Sequence, residues 1–228
     1  GLYLPVTAML FGLIMRGVAF EFRFKASSRR HVWDTFFFVG SVVATFSQGI
    51  MLGALVQGLE ASNRLYTGGP FDWLTPFSIV CGFAMIIGYA LLGSTWLIIK
   101  TEHTLQVWAR KVSGWMLSAL IVAMMVVTAF MYFSDINALE GWFGFPGLLY
   151  LAPMPIIVVL LFFLMRKDLS GEREYRPFLL TVALFLMGYI GVCFAIFPYI
   201  VPYQMTIYEA AAADTSLSFM LVGAVIML

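Results

Sequence analysis

A chain of 228 residues in which 62% are hydrophobic and only 11% charged lies far from the roughly one-quarter charged composition of a soluble domain. Its formal charge of +1 gives no reason to expect nucleic acid or an acidic soluble partner. The composition is that of a chain built to meet lipid.

Seven apolar stretches, each long enough or nearly so to cross a hydrocarbon core about 30 Å thick, predict an all-α polytopic transmembrane helical bundle. It is read as a single integral membrane domain over residues 1–228. The first span covers about Gly1 to Phe20 and meets a basic loop, Glu21 to Asp34. The second covers about Thr35 to Leu59, the third about Trp73 to Ile99, and the fourth about Val112 to Phe133. The fifth covers about Trp142 to Met165, the sixth about Phe178 to Val201, and the seventh starts near Thr215. The period-two alternation of a barrel is absent, and backbone groups in lipid must bond internally, so the spans are helices. The chain lacks an initiator Met and a basic n-region, so the first stretch does not read as a signal peptide. With the apolar run still open at Leu228, the expectation is an internal piece of a longer membrane subunit.

Charge orients the bundle. Of the 13 Lys and Arg residues, only Arg64 falls in an even-numbered connection. Arg16, Arg23, Lys25, Arg29 and Arg30 flank the first connection, Lys100, Arg110 and Lys111 mark the third, and Arg166, Lys167, Arg173 and Arg176 the fifth. Short basic loops stay on the cytoplasmic side, which puts the connections after spans one, three and five there and Gly1 at the opposite face. Trp73, Trp142 and Tyr203 stand where an interfacial aromatic belt is expected.

Small residues repeat at i, i+4 in Gly49/Gly53, Ala54/Gly58 and Ala84/Gly88, a spacing that lets helix backbones approach. Pro153 and Pro155 should bend or delay the fifth helix, and Pro146 precedes them.

The residues that could carry chemistry are few. Haem ligation within a bilayer calls for His on a span, whereas His31 and His103 lie in polar loops and the 14 Met residues read as packing. The same shortage of ligands argues against a structural zinc or iron–sulfur site. Cys81 and Cys193 fall inside apolar stretches and read as small buried hydrophobes. Arg16 lies four residues before the end of its span, close enough to snorkel. Glu21 and Lys25 are spaced to pair on one helix face, so Arg16, Glu21 and Arg23 read as a charged interfacial collar or as a polar patch on a proton path or at a subunit contact. Ser47 and Gln48 read as interhelical hydrogen-bonding groups. Lys100, Glu102 and His103 read as a solvated flank. Asp72, just before Trp73, reads as a helix cap, and Glu209 and Asp214 as caps or proton exits on the outer face. No nucleophile–base pair, phosphate loop or paired intramembrane carboxylate is present. At this level the chain is a helical membrane subunit whose reaction its residues do not reveal, and a secondary transporter or a structural subunit of a membrane complex stays open. A transporter would place its site near the midplane on broken helices, but no central acid or lysine accompanies Pro153 and Pro155.

Three segments go further. They are Arg16-Gly-Val-Ala-Phe-Glu-Phe-Arg23, the run FDWLTPFSIVCGFAMIIGYALLGSTWLIIKTE from Phe71 to Glu102, and FPYIVPYQMTIYEAAAADTSLSFMLVGA from Phe197 to Ala224. In this order, over essentially the whole chain, they resemble subunit II of the cytochrome bd-type quinol oxidases, including the cyanide-insensitive branch. The resemblance implies a heterodimer in a bacterial cytoplasmic (inner) membrane that oxidises quinol at the outer side, reduces dioxygen to water and builds a proton gradient without a pump. It implies haem b and haem d in a partner, subunit I, with no catalytic, cofactor-binding or metal residue in this chain, and leaves room for a small third subunit. The candidate proton-path or subunit-contact residues remain Arg16, Glu21, Arg23, Asp72 and Asp214. One departure is that Pro202 stands alone where relatives often carry Pro-Pro pairs.

Overall fold

The computed structural model describes residues 1–26, 29–59, 61–62, 65–133, 153–171 and 173–227. Its helices are α1 (Tyr3–Lys25), α2 (Arg30–Gln57), α3 (Pro76–Lys100), α4 (His103–Phe133), α5 (Pro153–Leu169), α6 (Tyr175–Ile196), the single turn α7 (Ile207–Ala210) and α8 (Asp214–Met227). Two short antiparallel hairpins, β1 (Ala61–Ser62) with β2 (Leu65–Tyr66) and β3 (Tyr199–Val201) with β4 (Met205–Thr206), complete the described elements. All but α7 answer to the seven predicted spans. Five of them, α1 to α4 and α6, are long and apolar enough to cross a membrane.

Helix ends depart from the hydropathy reading, each time for a polar reason. The connections predicted as Glu21 to Asp34 and Ile99 to Val112 shrink, because their polar residues sit on helix faces. α1 runs on to Lys25, α2 starts at Arg30, and only Thr101 and Glu102 separate α3 from α4. The third helix begins at Pro76, not Trp73. Thr75 caps it, accepting the Ser78 amide at 3.1 Å while the Ser78 hydroxyl accepts the Thr75 amide at 3.0 Å. The sixth helix stops at Ile196, before Pro198, and the residues up to Val201 turn into β3. α5 carries Pro153 and Pro155 in its first turn, where a missing amide donor is not needed. Trp142 and Pro146 lie outside the described residues.

The helices pack as antiparallel neighbours: α1 on α2, α2 on α3, α3 on α4 and α6, and α5 on α6. Small residues set the closest approaches. A Cβ at Gly49 would lie 2.5 Å from the Cys81 carbonyl oxygen, and one at Gly53 2.7 Å from Ser78 Cα, so the predicted Gly49/Gly53 pair seats α2 on α3. Gly58 takes no part in such a ridge. With φ of +85° it ends α2 and supports the Tyr203 ring. A pair the spacing did not single out, Gly12 and Gly40, brings α1 onto α2, each Cα facing the other's carbonyl.

The alternation puts the α1–α2, α3–α4 and α5–α6 connections at one end of the bundle, the basic end. Both hairpins lie at the other. Two apolar clusters fill the interior: Val56, Phe77 and Met131 toward the hairpin end, and Leu91, Leu117, Met165 and Leu184 toward the basic end. Outside, large apolar residues such as Phe11, Phe83, Trp115, Val122 and Phe163 are exposed, as a lipid-facing surface requires. Because lipid is as apolar as leucine, close packing and interhelical hydrogen bonds hold the helices together.

Candidate functional site: polar clusters at the two ends of the bundle

At the basic end, Arg23 forms an ion pair with Asp34 across the first connection, tying the C-terminus of α1 to the start of α2. Glu21 accepts from Lys25 at 2.8 Å, one turn along the same helix. Both pairs are largely exposed, which fits a collar that sets helix depth and adds little to stability. Arg16 stays apart from them. Its guanidinium lies 5.2 Å over the Phe37 ring of α2, beside a groove lined by Leu13, Gly17 and Phe20.

The most enclosed charge at this end is one the sequence reading did not select. Asp168, in the last turn of α5, is 5% exposed. Arg173 donates to its Oδ1 at 3.3 Å, and Arg176 Nε lies 3.3 Å from Oδ2 without the alignment of a hydrogen bond. Arg110 of α4 reaches over to the same turn, donating to the carbonyl oxygens of Gly171 at 2.7 Å, Arg173 at 3.1 Å and Asp168 at 3.4 Å. Gln106 donates to Ile98 O at 2.9 Å and Glu174 Oε1 at 3.0 Å. The α3–α4 and α5–α6 connections are thereby locked to each other, and carbonyls at the end of α5 gain cationic donors where the helix dipole favours them. A signal was available: Asp168 is an acid between Lys167 and a run with two arginines, at the end of an apolar stretch. Spacing alone could not show that it turns inward.

Nearer the middle of the spans, polar groups pair between helices. The Ser113 hydroxyl of α4 donates to that of Ser94 on α3 at 2.8 Å, both buried. The Tyr89 hydroxyl donates to Gln48 Oε1 at 3.3 Å, the interhelical role expected of Gln48.

At the hairpin end Asp72 is not the cap of α3, since Thr75 is. The Asp72 carboxylate instead closes the turn before it, accepting the Gly69 amide at 2.6 Å, with the Tyr66 hydroxyl at 3.0 Å. A tight turn offers these donors sooner than a helix four residues on. Thr75 also donates to Gln57 at the end of α2. The β3–β4 hairpin is fastened to that same helix end: the Tyr203 hydroxyl donates to Val56 O at 3.1 Å and Gln204 Nε2 to Leu59 O at 2.7 Å. Glu209 is a cap, joined reciprocally with Thr206 at the start of α7. Asp214 opens α8, and its side chain lies outside the described residues. The structure therefore places Arg16, Glu21 and Arg23 toward one end without joining them, Glu21 paired with Lys25, Arg23 with Asp34 and Arg16 over Phe37, and Asp72 at the other end.

His31 is exposed near the start of α2, and His103 is exposed at the start of α4 with φ of +54°. Neither points its ring into the bundle interior from a mid-span position. Among the described residues no three His, Cys, Asp or Glu side chains gather as metal ligands.

Fold and clusters together define a multi-span helical membrane protein with a cation-rich end. The model of the family "Cytochrome bd terminal oxidase subunit II" matches residues 1–228, and the chain belongs to that family. It is 31% identical to the "Probable cytochrome oxidase subunit 2" of Haemophilus influenzae over 59% of its length and 38% of that protein's. It is 25% identical to the "Cytochrome bd ubiquinol oxidase subunit 2" of Bacillus subtilis over the whole chain and 68% of that protein. With the "Cytochrome bd-I ubiquinol oxidase subunit 2" of Escherichia coli it shares 31% identity over 48% of the chain and 31% of that protein. The chain thus spans well under half of the first of these relatives and about two thirds of the second.

Proposed function

We propose that this chain serves as subunit II of a cytochrome bd-type terminal oxidase, in which a complex with a haem-bearing subunit I oxidises quinol, reduces dioxygen to water and adds to the proton gradient. The family match along the whole chain carries this reading. Haem b and haem d would be ligated by the partner, and this chain would act as its scaffold in a bacterial cytoplasmic membrane. Its exposed apolar faces would meet lipid and subunit I, and dioxygen, being apolar, would need no polar path through it. The collar of Glu21–Lys25 and Arg23–Asp34 would set the depth of α1 and α2. Arg16, Asp72 and Asp214 stand as candidates for subunit contact or proton passage. The basic end would face the cytoplasm, as short basic connections do.

Affinity purification of the tagged chain from its native membrane tests this. The expected product contains a second subunit, shows b- and d-type haem absorption and consumes oxygen with quinol. A small third subunit would show as a further band. A pure, haem-free chain that transports a solute would reject the proposal. For orientation, Ser28→Cys should resist an impermeant thiol reagent applied from outside and Ser62→Cys should react, and the reverse pattern would overturn the assignment.

A further inference from the structure

We draw no further inference here: the strongest candidate, the cluster of Asp168, Arg110, Arg173 and Arg176 where the α3–α4 and α5–α6 connections meet at the basic end of the bundle, belongs to the site already described, and its contacts among the described residues are those of a clasp between the two connections, which point to no ligand.

Discussion

Asp168 provides the sharpest test of how charge is arranged in this bundle. Its carboxylate is 5% exposed, while the side chains of its partners Arg173 and Arg176 are 58% and 45% exposed, each at 3.3 Å. The pair is therefore lopsided. Replacing Asp168 by Asn leaves two arginines that turn to water, and the loss is that of half-screened contacts, about 1–2 kcal/mol. Removing one arginine leaves the carboxylate with the other, at about 1 kcal/mol. Removing both strands a buried anion, which costs about 3–5 kcal/mol, more than the two single losses added. In the Asp168→Asn background the same two arginine changes should cost almost nothing. Thermal unfolding of the detergent-purified complex, with a double-mutant cycle over Asp168→Asn, Arg173→Gln and Arg176→Gln, measures this. Additive arginine effects, or Asp168→Asn ranking as the most damaging of the set, would refute the argument that the buried carboxylate is the costly member.

Other consequences are simpler. Gly49→Ala would place a methyl 2.5 Å from the Cys81 carbonyl oxygen and should destabilise the complex by about 1–3 kcal/mol, whereas Gly93→Ala, where a Cβ meets nothing within 4 Å, should be neutral or slightly stabilising. A thermal scan of the two separates close approach from composition. Thr75→Ala should cost about 1 kcal/mol through the lost cap of α3, and Asp72→Asn less, since that side chain closes only an exposed turn; a ranking the other way would restore Asp72 as the cap. Tyr203→Phe removes the hydroxyl that holds the β3–β4 hairpin on Val56 O. It should speed proteolytic cleavage within 199–206 severalfold, an effect of about 1 kcal/mol, with little change in the melting of the helices.

Hydropathy and charge were enough for the helical class, for most of the span positions and for the grouping of basic connections at one end. Lipid imposes a single rule on every residue of a span, so the pattern survives without knowledge of neighbours. The Glu21–Lys25 pair was also legible, because both partners lie one turn apart on one helix, and so was Gly49 as a contact. The partners that matter most at the basic end were not legible. Asp34 for Arg23, the carbonyls of Gly171 and Arg173 for Arg110, and the inward turn of Asp168 each depend on a neighbour many residues away. Helix ends slipped for the same reason. His103 to Lys111 reads as polar loop, yet these residues form the start of α4, where Gln106 and Arg110 find acceptors on the α5–α6 connection, at Glu174 and at Gly171 O. Asp72 lost the capping role to Thr75 because the turn before α3 could satisfy it locally. A lone chain can show how much of itself must face lipid, since that depends on each side chain's own solubility. Which polar groups then meet was decided only by the antiparallel stacking of the helices, because a hydrogen bond needs two groups at one depth and a linear order of residues does not contain that coincidence.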